Sequence, residues 1–194
     1  MIERVGDVPH PDTRGRIVDA GVRCITREGV ARASMAAIAL EAGVSKALLH
    51  YHYHDRATLL TEIVERIAER LVSRERAAID EGDGVGGLDA LWRWLEGELR
   101  GGELAGLAEL ALVREGAVRT ATRAAAGERS RNAARTIERL FAELELTPRI
   151  PPPLMADAAV AFIDGLALDV ANGSMREPRV SYDIFWLALL GLAE

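Results

Sequence analysis

Residues 34–56, SMAAIALEAGVSKALLHYHYHDR, limit the fold more than any other stretch of the chain. Ser34 is a good N-cap for a helix whose apolar positions are Met35, Ile38 and Ala39. Gly43 can take the positive φ that ends this helix in a tight turn, and Ser45 caps a second helix that restarts at once. Ala39 is small enough for the two helices to cross closely. Val44 and Leu49 point back and close a miniature core. This is the spacing of a DNA-binding helix-turn-helix. The polar face of the second helix carries Ser45, Lys46, His50 and Tyr51, which can reach phosphates or base edges.

Lys46 is the only lysine in the chain, and it falls on the face that would enter a major groove. His50, His52 and His54 alternate with tyrosines just beyond it. On a strand that alternation would put three imidazoles on one face, as zinc ligation requires. On a helix, residues two apart point roughly 200° apart. The segment is the end of a helix running into a turn, so phosphate contact is the better reading. At least two of the four rings from 50 to 53 are expected to touch DNA.

Residues 13–64, TRGRIVDAGVRCITREGVARASMAAIALEAGVSKALLHYHYHDRATLLTEIV, resemble the N-terminal domain of the TetR family of bacterial one-component transcriptional regulators. The resemblance rests on Val44, Ser45, Lys46 and Ala47, then His50, Tyr51, His52 and Tyr53, then Arg56. Two positions depart from the family pattern: Ala47 stands for a frequent glycine, and His50 for a frequent tyrosine. The resemblance implies an all-α, nine-helix fold and a buried aromatic at Tyr53. It implies DNA contacts by Ser34, Ser45, Lys46, Ala47, His50, Tyr51 and His52, with Arg56 gripping the backbone. It also implies a helical second domain that holds a ligand cavity and a four-helix dimer seam.

The net charge of −6 looks wrong for a DNA binder until the chain is split. Residues 1–60 hold 8 basic and 7 acidic residues and all four histidines, while residues 61–194 hold 16 basic and 23 acidic. The negative charge therefore sits on the second part, where salt screens it over roughly 8–10 Å. Nearly half of the 194 residues are apolar, which suits a folded helical protein. No apolar run approaches the ~20 residues of a membrane span. The opening MIERVGDVPHPD lacks the apolar core of a signal peptide. The lone Cys24 excludes an internal disulfide and fits a cytoplasmic protein. On the apolar stripe of the first helix it reads as a structural thiol.

Periodicity and caps predict helices over about 13–28, 34–42 and 45–53, and a long fourth helix from a cap at Asp55 to about Ile79. The glycine-rich run at 82–87 should break the chain before a fifth helix that starts at Leu88 and ends at Gly101-Gly102. Further helices are expected over about 103–115, 118–146 (with an interruption at Gly127), 154–171 and 181–192. No strand is expected. The domains read as a disordered arm over 1–12, a helix-turn-helix domain over 13–56, and an effector-binding and dimerisation domain over 57–194.

Trp92, Leu95, Leu110, Phe141 and Phe162 are the candidate lining of an apolar cavity for a hydrophobic or amphipathic effector. Trp94 points away from Trp92, so one tryptophan should line a given cavity. Glu109, among leucines and alanines, is either a surface residue or a buried carboxylate in need of a partner. The Arg131, Arg135, Arg139 ladder reads as a solvated face. Phe162, Gly165, Asp169, Tyr182, Trp186 and Leu189 are the candidate homodimer seam. A ferritin-like enzyme needs Glu-x-x-His pairs on helices, and none exists. No nucleophile–base pair or phosphate loop suggests catalysis, and no cofactor or metal is implied. The expected function is a homodimeric repressor released from a near-palindromic operator in double-stranded DNA by a small effector. The alternative is a regulator whose second domain binds a protein partner.

Overall fold

The computed structural model describes residues 12–80 and 84–194. The expected arm therefore lies outside the described residues, apart from Asp12. The described residues form nine helices: α1 (Thr13–Glu28), α2 (Met35–Ala42), α3 (Lys46–His52), α4 (Arg56–Asp80), α5 (Gly84–Gly101), α6 (Glu103–Ala111), α7 (Gly116–Glu143), α8 (Pro152–Ala171) and α9 (Pro178–Leu190). Among the described residues there is no strand, only a bridge of Pro148 with Ala193.

The first helices start and stop on local chemistry. Ser34 Oγ accepts from the Ala37 amide and Ser45 Oγ from the Leu48 amide, each satisfying an amide the helix leaves open. Gly43, at φ 65°, makes the left-handed stop between α2 and α3. Asp55 Oδ1 caps α4 through the Thr58 amide at 2.7 Å.

Several boundaries differ from the sequence reading. α5 begins at Gly84, inside the glycine-rich run. Gly87 lies against α7, where a Cβ would stand 2.5 Å from a Leu140 methyl, so the missing side chain lets two helices approach. α6 stops at Ala111, because the Leu112 and Val113 amides fold back in a turn onto Glu109 and Leu110 carbonyls. α7 passes through Gly127 unbroken. α8 and α9 begin earlier than expected because Pro152, Pro153 and Pro178 occupy first-turn positions, where no amide is needed.

α4 packs along α7, and α7 along α8, with α5 and α6 against them. One buried cluster runs from Ile17 in α1, through Ile63, Ile67 and Leu71 in α4, to Ile137 and Phe141 in α7 and Tyr182 and Trp186 in α9. The exposed side of α4 carries arginines four residues apart. Arg66 and Arg70 hold Asp19 of α1, at 2.5 and 2.8 Å. Arg74 grips Glu98 of α5 with two nitrogens, at 2.5 and 2.7 Å, and Glu103 of α6 at 2.6 Å. This ladder fastens both halves of the chain to one helix.

Candidate functional site

α3 is fixed to the rest of the chain by Leu49 and by Tyr53 just past its end, both fully buried. The Tyr53 hydroxyl donates to Glu62 at 2.6 Å, and Arg14 donates to the same carboxylate. The hydrogen bond from Arg14 holds the Glu62 pKa below the ordinary carboxylate value. Burial, reinforced by the neighbouring carboxylate, pushes the Tyr53 phenol well up. With that side anchored, Lys46, Ala47, His50 and Tyr51 face solvent, and Tyr51 is 73% exposed. His52 is half-buried with its ring edge-on to Tyr51, centroids 5.3 Å apart. Ser34 and Ser45 are both exposed, with their hydroxyls engaged as caps of α2 and α3.

Arg56 is placed differently from its expected role. Its guanidinium donates to the Val30 carbonyl at 2.6 Å and the Ala33 carbonyl at 3.2 Å. Those bonds turn it toward the α1–α2 loop. From the other side, Glu109 accepts from the Val30 amide at 2.9 Å. Sequence reasoning left Glu109 open, and the loop amide is its partner. α6 also crosses α1 closely: a Cβ on Gly106 would stand 2.8 Å from an Ile25 methyl. Gly102, at φ 76°, brings the α5–α6 turn over Thr26, whose carbonyl would lie 3.2 Å from an added Cβ.

The helical body holds a small cavity of about 30 Å³. Its wall is Leu91, Trp94, Ala133, Ile137, Ala159, Val160, Ile163 and Trp186, with Glu75, Arg129 and Thr136 as its polar members. The five residues expected to line a cavity are not in this wall. Leu95, Leu110 and Phe141 are packed in the core. Trp92 lies against Tyr182 at 5.1 Å, and Phe162 stacks on Phe185 at 4.3 Å. Trp94, not Trp92, reaches the cavity. Glu75 was missed, although Leu71, Glu75 and Ile79 share one inward stripe of α4. Glu75 accepts from Thr136 at 3.0 Å. Burial raises its pKa, opposed by Thr136, Asn132 and the Arg129 and Arg76 charges. Arg129, itself buried, pairs with Asp164 at 2.7 Å.

The candidate seam residues divide. Tyr182, Trp186 and Leu189 are buried within the chain, and the Tyr182 hydroxyl donates to the Leu88 carbonyl at 2.9 Å. These three belong to the protein's own core. Gly165 and Asp169 are exposed, and Phe162 is half-buried. The large apolar residues exposed on α8 and α9 are Leu154, Val180, Ile184 and Leu187, none of which the sequence reading had singled out.

Comparison with known proteins bears on this arrangement. The sequence model of the family described as "Bacterial regulatory proteins, tetR family" matches residues 17–63. The chain is 31% identical over 77 residues to the HTH-type transcriptional regulator TtgR of Pseudomonas putida, a match that covers 39% of this chain and 37% of that one. The chain therefore matches little more than a third of that curated relative's length. Among solved structures, a TetR transcription regulator from Haloarcula marismortui superposes with a TM-score of 0.76 at 19% identity, over 95% of this chain and 100% of that one. The multidrug binding protein EbrR, complexed with imidazole, superposes with a TM-score of 0.64 at 25% identity, over 93% and 96%. The helix-turn-helix segment thus matches the TetR family of bacterial regulatory proteins in sequence, and the whole length shares the fold of solved TetR-type regulators.

Proposed function

We propose that this protein is a dimeric transcriptional repressor, not an enzyme, acting in the cytoplasm. In this reading residues 13–56 bind a near-palindromic operator, and residues 57–194 bind an effector and form the dimer. The observation that carries it is the α3 surface: Lys46, Ala47, His50 and Tyr51 stand clear of the protein beside the α3 cap Ser45, while Leu49 and Tyr53 anchor the other side. That surface is of a size and chemistry to enter a major groove. Arg56 supports it indirectly, by holding the loop that precedes α2. Selection of bound duplexes from random oligonucleotides tests the reading. A two-fold symmetric site bound by wild type and lost with Lys46→Ala plus Tyr51→Ala is the expected result, and enrichment of no sequence refutes it.

The dimer seam is assigned to Leu154, Val180, Ile184 and Leu187, with Phe162, Gly165 and Asp169 beside them. The effector is a hydrophobic or amphipathic small molecule taken up between α4, α5, α7, α8 and α9, and the likeness in fold to EbrR, a multidrug binding protein, supports small-molecule binding. A cavity of about 30 Å³ is far below the several hundred Å³ of a filled pocket, so such a molecule must push its walls apart. A ligand shifts DNA affinity only by preferring one conformation, and displacement of α4 supplies that preference. The same small volume favours a second reading, in which the body binds a protein partner. Release of operator DNA by small molecules alone separates the two.

A further inference from the structure

Of the six arginines in residues 13–56, five are already held by the protein. Arg14 pairs with Glu62, and Arg23 and Arg27 share Glu41. Arg16 donates to the Ala42 carbonyl at 3.0 Å, and Arg56 to the Val30 and Ala33 carbonyls. Arg32 is the sixth. It is exposed, and among the described residues none accepts from its guanidinium. Its backbone, by contrast, is fixed. The Ser34 amide donates to the Arg32 carbonyl at 2.8 Å, closing a three-residue turn around Ala33. Ala33 is fully buried, and its carbonyl is one of the two that Arg56 holds. Arg32 and the α2 cap Ser34 are therefore exposed on either side of an inward-facing residue.

We propose that Arg32 is the arginine through which this chain grips the DNA backbone, by contact with a phosphate beside the groove that α3 enters, and that Arg56 acts only by holding the turn that carries it. This deepens the DNA-binding reading above and rests on it. A helix-turn-helix lays its second helix in the major groove and carries its first, here α2, across the backbone. Of the two ends of α2, the amide end favours an anion, and Arg32 stands two residues ahead of the cap at that end. The charges of Arg14, Arg23 and Arg27 are offset by carboxylates, so they have less to offer a phosphate. Arg56 would have to give up two carbonyl bonds to reach one. Arg32 gives up only water, and its fixed backbone lowers the entropy lost on contact.

The test is titration of the full chain against the duplex selected from random oligonucleotides and a shuffled duplex of the same length, over a range of salt. A phosphate contact weakens all sequences alike and shows in the salt dependence, which a merely structural residue does not move. Arg32→Ala should weaken both duplexes by the same factor. With one Arg32 in each subunit of a dimer, the slope of log affinity against log salt should become shallower by about 2. The advantage of wild type should then shrink about tenfold between roughly 50 and 200 mM salt. Arg32→Lys keeps the charge and should keep the wild-type slope. Arg56→Gln, which keeps a donor for the two carbonyls, should keep it too. An unchanged slope in Arg32→Ala, a slope that falls in Arg56→Gln instead, or a loss confined to the selected duplex overturns the proposal and leaves the DNA-binding reading standing. Wild type that binds neither duplex overturns both.

Discussion

Glu109, on α6, accepts the Val30 amide hydrogen at 2.9 Å, and the carbonyl of the same residue accepts from Arg56, on α4, at 2.6 Å. One loop residue is thus held by both helices that reach the body. Glu109→Ala removes one of these bonds and frees a half-buried amide. We expect a loss of about 1 kcal/mol in stability and faster hydrogen exchange at Val30, with the core of α4 unaffected. Glu109→Gln retains an acceptor oxygen and should restore most of the protection. Equal exchange in all three proteins would show that the bond does not hold the loop.

Operator binding should depend on the exposed side of α3. Lys46→Ala and Tyr51→Ala should each weaken binding at fixed salt by about 1–3 kcal/mol when the lost contact is to a base. Thermal unfolding should be unchanged, because both side chains point away from the core. Titration of fluorescent operator DNA, read beside the melting curve, checks both halves of the statement.

On α9, neighbouring residues should behave oppositely. Ile184 and Leu187 are 63% and 71% exposed, so Ile184→Asp and Leu187→Asp should leave the fold intact and give monomers in sedimentation. Trp186 is buried, and Trp186→Asp should unfold the protein by placing an unpaired charge in the core. A soluble, folded Trp186→Asp monomer would move the seam back to the inner face of α9.

Glu75 makes stability pH-dependent in an unusual sense. Burial raises its pKa above 4.5, so the folded chain binds a proton that the unfolded chain has released. Its contribution is therefore most favourable below pH 4.5 and declines as pH rises through the raised folded value. Glu75→Gln, which keeps an acceptor for Thr136, should remove that decline and be more stable than wild type at neutral pH. The difference in denaturation midpoint should grow from acid to neutral pH; a constant difference would mean that Glu75 does not titrate this way.

The helix-turn-helix was readable because its signals are local. Ser34, Gly43, Ser45 and Asp55 set the helix ends with bonds to residues no more than a turn away. The end of α6 and the proline starts of α8 and α9 were misread for local reasons, but the other misreadings involve partners distant in sequence. Gly87 looks like a breaker until Leu140 is known to lie against it. α9 is apolar around most of its circumference, so periodicity alone could not divide Tyr182 and Trp186, which face inward, from Ile184 and Leu187, which face outward. The choice between Trp92 and Trp94 turned on where α7, α8 and α9 pass, and no pattern within α5 contains that. Arg56 matched its family position in sequence, yet its bonds go to carbonyls more than twenty residues earlier.

The placement of Lys46 gives the chain a built-in label. As the only lysine, exposed at the start of α3, it offers the sole side-chain amine to acylating reagents and the sole cleavage point to a lysine-specific protease. If α3 enters the groove, DNA should shield that amine. The fraction of acetylated protein seen by mass spectrometry would then report operator occupancy in unmodified material, without a dye or an engineered cysteine.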